Sequence, residues 1–307
     1  MSYRLQADEK VSEGLRRCPR EQLDHAINEL TDGIERDPVA AVHEARKSLK
    51  KARSALRLGR GAIDRDVRRR DNAALRDAGR ELSAARDAEV MLQAVDGLAE
   101  RFAGQVPGTT FDAIRGRLEA DRDEARVRLR DAGVTGQVAG ELNAIQTRID
   151  DWQVHGGGWA ALEPGLLRSY RRGRAARDMA RRDPTTENFH EWRKRAKDLW
   201  YHLRMLKPLS PGIVGGQADE AHELADLLGD DHDLAVLREA LETGAGDLPV
   251  DLDAVIGLLD HRRDQLQAQA MLLGERLYAE PPKLFARRLH SYWRTWRGAA
   301  RATQAVV

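Results

Sequence analysis

"VHEARKSLKKARSALRL" (residues 42–58) decides the fold that we predict for this chain. On a helix of 3.6 residues per turn, Ala45, Leu49, Ala52 and Leu56 form one narrow apolar stripe. A stripe of this kind predicts an α-helix with one face buried against neighbouring helices. A second stripe beside it, flanked by Lys47, carries a histidine and cations at the same spacing: His43, Arg46, Lys50, Arg53 and Arg57.

A second stretch, "FHEWRKRAKDLWYHLRML" (residues 189–206), repeats this plan. Aligning His43 with His190 places Trp200 where Arg53 stands in the first stretch. The apolar stripe of the second stretch contains Trp192, Ala196, Leu199, Leu203 and Leu206. Its basic stripe contains His190, Arg193, Lys197 and Arg204, flanked by Lys194.

The two stretches belong to a longer internal repeat. "ELSAARDAEVM" (81–91) is similar to "LLGDDHDLAVL" (227–237), at nearly the same separation as the two histidine stretches. Two matched stretches at nearly one offset indicate a tandem duplication, which we expect to produce pseudo-twofold symmetry. The glycine run 156–158 lies between the halves, so we predict helical-bundle repeats at residues 1–153 and 160–307.

Local signals predict where the helices begin and end. Each histidine stretch follows an Asp-Pro pair, which predicts Asp37 and Asp183 as N-caps with proline at the first helical position. The segment "TDGIERDP" (31–38) is expected to interrupt the helices. Helix-forming residues dominate the rest of the chain, and no segment alternates β-branched residues with polar ones, so the predicted fold class is all-α.

The overall charge excludes no partner and favours none. The 307 residues include 51 Lys and Arg against 50 Asp and Glu, a net charge of +1. The single cysteine, Cys18, cannot form an internal disulfide, and no apolar run is long enough to span a membrane, so we expect a cytoplasmic protein without a membrane partner. Any electrostatic function must therefore come from the arrangement of the charges.

The arrangement within the two basic stripes favours an anion. Solvated faces usually mix signs so that residues four apart attract, whereas here like charges repeat and repel. An anion would offset that repulsion, and cations about 5 Å apart along a helix suit a linear polyanion. Arg binds phosphate oxygens in pairs, Lys acts as a point charge, and His adds a donor. No glycine-rich phosphate-binding loop is present in the sequence.

These motifs resemble those of CHAD domains, the conserved histidine α-helical domains. The resemblance rests on the two histidine stretches and on the "RDAEVM" and "HDLAVL" segments that follow them, and it covers residues 11–296. It implies two four-helix bundles around a central basic pore or groove that binds inorganic polyphosphate, with association with polyphosphate granules. The family's frequent partner domain, with its Glu-x-Glu-x-Lys motif, is absent from this sequence, so a non-enzymatic binding module without a cofactor is implied.

The resemblance carries binding roles over to both basic stripes. The implied polyphosphate-binding residues are His43, Arg46, Lys47, Lys50, Arg53, Arg57, His190, Arg193, Lys194, Lys197 and Arg204. Other arginines could extend the binding surface, or could be boundary residues whose stems pack along the core. These weaker candidates are Arg16, Arg20, Arg171, Arg174, Arg287 and Arg288.

Two other functions stay open. His43 and His190 could bind a metal or accept a phosphoryl group, although the cations around them would repel a metal ion. "HELADLLGDDHD" (222–233) also offers His222, Asp226 and His232 as metal ligands, but helix capping or orientation of a basic helix is the preferred role for Asp233 and for its counterpart Asp87. A nucleic-acid binder would need a basic domain with aromatic readers, which the net charge disfavours.

Overall fold

The computed structural model describes residues 3–131, 133–244 and 251–304. Within these ranges the side chains of residues 84–87, 125–126, 128–131, 244 and 303–304 are not described. The described chain is helical and contains no β-strand, so the predicted all-α class is confirmed. None of its helices is both long and apolar enough to cross a membrane.

The first half contains seven helices in the described ranges: α1 (Val11–Asn28), α2 (Ile34–Arg36), α3 (Pro38–Leu58), α4 (Arg65–Glu81), α5 (Ala84–Arg101), α6 (Gly108–Asp131) and α7 (Val134–Asp150). The second half contains α8 (Trp159–Arg182), α9 (Thr186–Leu206), α10 (Ile213–Gly244), α11 (Leu252–Leu277) and α12 (Pro282–Gln304). The histidine stretches form α3 and α9. All residues of the two predicted apolar stripes are buried, as the helical spacing requires.

The interruption predicted at residues 31–38 is largely wrong. A π-helical turn, Glu29–Gly33, continues α1 directly into α2, and the helix stops only at Asp37. The reason is Pro38, because a proline forces the residue before it out of the helical region. Asp37 is accordingly extended, with φ of −147°.

The predicted N-cap holds for α3 and is wrong for α9. The Asp37 carboxylate accepts hydrogen bonds from the backbone N–H groups of Val39 and Ala40, with Pro38 in the first turn. In the second half Thr185 is the N-cap instead, and its hydroxyl accepts from the N–H of Asn188 at 3.2 Å. Asp183 ends α8, because Pro184 holds it in an extended conformation.

Three apolar clusters form the interior. One draws on α1, α3, α4 and α7 of the first half, and a second is built mainly from α8, α9, α10 and α12. The third, which we call the shared cluster, joins α5 and α6 to the C-terminal part of α10 and the N-terminal part of α11. Its members are Leu92, Val95, Leu98, Phe102, Phe111, Ile114, Leu118, Leu234, Leu237, Leu241, Val255, Leu259 and Leu266. The two halves therefore bury apolar surface against each other.

The helices of the two halves follow a similar order, with one clear difference. α10 is a single helix of 32 residues, whereas α4 and α5 occupy the corresponding stretch of the first half and are separated at Leu82 and Ser83. The tandem-repeat symmetry and the division at residues 153 and 160 stay predictions. The linker contains Gly156 and Gly158, both at positive φ, and the N–H of His155 donates to the carbonyl of Ala62 at 2.8 Å.

Candidate anion-binding site

The two histidine helices contact each other directly. Nε2 of His202 on α9 lies 3.0 Å from the carbonyl oxygen of Ser54 on α3, to which it donates. The Arg57 guanidinium on α3 forms an ion pair with Asp198 on α9.

A cavity beside this contact is lined by cations of the first half and by His190 of the second half, and we call it the first basic cavity. Its volume is about 320 Å³. Leu49, Leu75 and Gly79 provide its apolar part. Its basic and histidine lining consists of Arg46, Lys50 and Arg53 from α3, Arg76 and Arg80 from α4, and His190 from α9.

Within this cavity, Arg53 is a half-buried cation that is repelled by neighbouring arginines. Burial, followed by the positive charge of Arg57 and then those of Arg76 and Arg80, lowers the pKa of Arg53 to about 10, although Asp198 opposes the shift. Nε of Arg53 donates to the side-chain oxygen of Asn72 at 3.3 Å. A cation that is partly desolvated and surrounded by like charges is stabilised by any anion that enters.

His190 is uncharged at neutral pH. Its ring lies against that of His232 from α10, with ring centroids 4.0 Å apart and the ring planes tilted by 35°. Burial, followed by the charges of Lys194 and Arg193, lowers the pKa of His190 to about 4, and burial together with the neighbouring His190 lowers that of His232 to about 3. Nδ1 of each ring is buried and makes no hydrogen bond within the described residues, which is costly unless a ligand or water completes it.

Lys197 and Arg193 lie between α9 and the acidic side of α10. Burial, followed by repulsion from Arg193, lowers the pKa of Lys197 to about 8, although Asp226, Asp233 and Asp230 favour its charged form. A guanidinium nitrogen of Arg193 lies 3.9 Å from the Asp233 carboxylate, in the orienting position that the sequence suggested. The side chain of Asp87, the counterpart of Asp233, lies outside the described residues.

The remaining predicted residues of the two stripes have local partners. Lys47 pairs with Glu44 and Lys194 pairs with Glu191, each at 3.1 Å, so the flanking position is alike in both halves. His43 lies 3.9 Å from Glu44. The Arg204 guanidinium lies over the ring of Trp200, 5.3 Å from its centroid.

None of the six weaker arginine candidates is among the described residues that line the first basic cavity. Arg16 donates to the carbonyl of Trp152 at 3.0 and 2.5 Å, and Arg20 pairs with Asp150 at 2.8 Å. Arg288 pairs with Glu280 at 2.9 Å. Arg171 and Arg287 are exposed and Arg174 is half-buried, and any role of these six in binding stays a prediction.

The residues suggested as metal ligands do not converge. His222 pairs with Asp226 one turn further along α10, whereas His232 lies against His190. In the part of the chain that the structure describes, no group of three His, Cys, Asp or Glu side chains could hold a metal ion.

The sequence did not predict Arg76 and Arg80 as site residues, and it suggested His232 only as a possible metal ligand and not as a neighbour of His190. Arg69, Arg76 and Arg80 share one face of α4 at helical spacing, and that stripe was the available signal. Acidic residues lie between these arginines, such as Asp77, whose carboxylate is 2.8 Å from Arg76. In the sequence the arginine stripe therefore resembles an ordinary surface of mixed charge.

The fold and the site define an all-helical protein with a cation-lined cavity at the contact between two histidine helices. Residues 18–242 match the CHAD domain model, and the chain belongs to the CHAD domain family. Polyphosphate binding is the known role of that family.

Solved structures share the fold. The chain is similar to PptA from Streptomyces chartreusis, with a TM-score of 0.65 and 15% identity over 89% of this chain and 100% of that one. It is also similar to the CHAD domain from the plant Ricinus communis, with a TM-score of 0.51 and 19% identity over 94% of this chain and 95% of that one. No curated protein matched the sequence.

Proposed function

We propose that this protein binds long-chain inorganic polyphosphate without catalysing a reaction, and that it associates with polyphosphate granules. The observation that carries the proposal is the first basic cavity, where Arg46, Lys50 and Arg53 of α3 meet His190 of α9 and two arginines of α4. The proposed ligand-binding residues are those of the two stripes: His43, Arg46, Lys47, Lys50, Arg53, Arg57, His190, Arg193, Lys194, Lys197 and Arg204.

The electrostatics support a polymeric anion over a single phosphate. Arg46, Lys50 and Arg53 succeed one another by about one helical turn, or about 5 Å along the axis, so they form a row and not a single point of attachment. The depressed pKa values of Arg53 and Lys197 reflect burial among like charges, which a polyanion would relieve. The neutral His190 would contribute a hydrogen-bond donor instead of a full charge at neutral pH.

The first test compares polyanions. Affinity for long-chain polyphosphate and for single-stranded DNA of equal charge is measured at several salt concentrations. We expect tighter binding of polyphosphate, with an affinity that falls steeply as salt rises, because each bound phosphate releases counterions in the way described for nucleic acids. Equal affinity for DNA would remove the selectivity that we propose.

The second test is charge reversal. Lys50→Glu should lose polyphosphate binding with unchanged helicity, because it places an anion in the lining of the first basic cavity. Lys283→Glu, at an exposed lysine on α12, is the matched control and should bind as the wild type does. Loss of binding in both variants would mean that net charge, and not the cavity, controls affinity. Bound metal or phosphohistidine found after incubation with polyphosphate would favour the histidine-based alternatives.

A further inference from the structure

A second cavity lies at the other end of α3, outside most of the predicted site. We call it the arginine cavity, and its volume is about 180 Å³. Among the described residues of its lining, Asp198 carries the only acidic side chain, and that carboxylate already pairs with Arg57 and Arg195. Six arginines line it: Arg57, Arg60, Arg68, Arg69, Arg168 and Arg172.

Close backbone packing builds this cavity. A Cβ atom at Gly165 would overlap the carbonyl oxygens of Leu58 and Arg57, and one at Gly61 would come within 3.0 Å of the carbonyl oxygen of Ala160. Only glycine lets α8 approach the end of α3 so closely. Arg168 and Arg172, which follow Gly165 on α8, are thereby brought to the arginines of α3 and α4.

The charges in the arginine cavity are only partly neutralised, because Asp198 pairs with Arg57 and Glu191 lies 3.3 Å from Arg172, while six arginines line the cavity. Burial, followed by the charges of Arg60, Arg168 and Arg65, lowers the pKa of Arg68. Nε of Arg68 is buried and has no hydrogen-bond acceptor among the described residues. Arginine does not escape such repulsion by losing its proton, so the arrangement is stabilised by a bound anion. Guanidinium groups suit phosphate because they can donate two parallel hydrogen bonds to its oxygens.

The arginine cavity lies next to the first basic cavity. Arg53 lines the first cavity, and its hydrogen-bond partner Asn72 lines the second. Arg57, one turn after Arg53 on α3, also lines the second cavity. The row from Arg46 to Arg57 spans about 17 Å along α3 at 1.5 Å per residue, and Arg60 follows in the turn after the helix. A linear anion can therefore contact both cavities in succession.

We propose that the arginine cavity is a second phosphate subsite, which holds the same polyphosphate chain where it leaves the first basic cavity. This inference rests on the proposed function. Each molecule of a short oligophosphate occupies one cavity, so two molecules bind per protein, whereas one long chain contacts both cavities. Engagement of both raises affinity because the second contact is intramolecular.

The test uses variants of the full chain that keep the fold. Arg69→Gln/Arg168→Gln removes two exposed arginines of the cavity, and Arg182→Gln/Arg294→Gln removes two exposed arginines elsewhere as the control. Titrations with tripolyphosphate give the number of sites, and titrations with long-chain polyphosphate give the affinity.

We expect the wild type and the control to bind two tripolyphosphate molecules, and the cavity variant to bind one. Long-chain affinity should fall by about tenfold or more in the cavity variant, because the gain from a second linked contact is lost. In the contrary outcome, the cavity variant keeps both the wild-type stoichiometry and the wild-type long-chain affinity while Lys50→Glu loses binding. That result would show that the arginine cavity is not a phosphate subsite, and the proposed function would stand. A wild-type protein that fails to bind long chains overturns both.

Discussion

At the scale of single residues, the site combines charged and uncharged donors. His190 and His232 have pKa values of about 4 and 3, so at neutral pH their rings are neutral while the arginines around them are charged. His190, which begins the basic row of α9, therefore differs from the charged residues that follow it. Lys197 is intermediate, because burial and Arg193 bring its pKa to about 8.

Lys197 should make polyphosphate binding depend on pH above 8. Nearby phosphates favour the ammonium form, so the pKa of Lys197 is higher in the complex than in the free protein. Below pH 8 Lys197 is charged in both states and affinity does not change with its titration. Above pH 8 the free protein loses the proton and must regain it on binding, so affinity falls by up to about tenfold per pH unit until the pKa of the complex is reached.

The measurement is polyphosphate affinity at pH 7, 8, 9 and 10 for the wild type, Lys197→Met and Lys194→Met. The first variant should bind more weakly at pH 7 and lose this pH dependence. The second replaces an exposed lysine on the same helix and should keep it. An identical decline above pH 8 in Lys197→Met would show that another group is responsible.

At the scale of helices, the sequence predicted α3 and α9 well because each carries a complete apolar stripe. It could not predict that Thr185 is the N-cap of α9 or that α4 and α5 separate at Leu82 and Ser83. Alternative caps and breaks differ by small local energies, and tertiary packing decides between them. Arg76 and Arg80 were missed for a related reason. Their place in the first basic cavity depends on which face of α4 packs against α3, and acidic neighbours obscure that face in the sequence.

The approach of α8 to α3 should depend on Gly165. Gly165→Ala places a methyl group against the backbone carbonyls of Leu58 and Arg57, which have no flexible side-chain end that could move aside. We expect the free energy of unfolding to fall by about 1–3 kcal/mol, as overpacked interiors do. The arginine cavity should also widen, so long-chain polyphosphate should bind more weakly.

Gly216→Ala on α10 is the matched control, because apart from the adjacent backbone of α10 no described atom lies within 4 Å of a Cβ atom there. Replacing a helical glycine at an open position should stabilise the protein by up to about 1 kcal/mol. Urea unfolding of both variants followed by circular dichroism measures the two effects. Equal stability of the two variants would contradict the close approach at Gly165.

At the scale of the whole molecule, the two halves make contacts with each other that a tandem repeat alone would not require. The shared cluster packs Leu92 and Leu98 of α5 with Leu237 of α10 and Leu259 of α11. The ion pair between Arg57 and Asp198 and the hydrogen bond from His202 to Ser54 also join the halves. The repeats at residues 1–153 and 160–307 are therefore expected to be units of sequence and not of independent folding.

We predict that neither half folds cooperatively by itself. Residues 160–307 alone would expose the apolar faces of α10 and α11 that α5 and α6 cover, and residues 1–153 alone would expose the opposite side of the same cluster. Each buried leucine left in water loses about 1.5–3 kcal/mol of stabilisation, so several together exceed the marginal stability of a domain of this size. Urea unfolding of each half should accordingly show a broad transition or none, and mixing the halves should restore a single sharp one.

The control is the full chain cut at a protease site placed within residues 156–158, which should stay assembled and bind polyphosphate. A sharp two-state transition in either isolated half would show that the repeat is an autonomous domain and that the shared cluster is not needed to form the site.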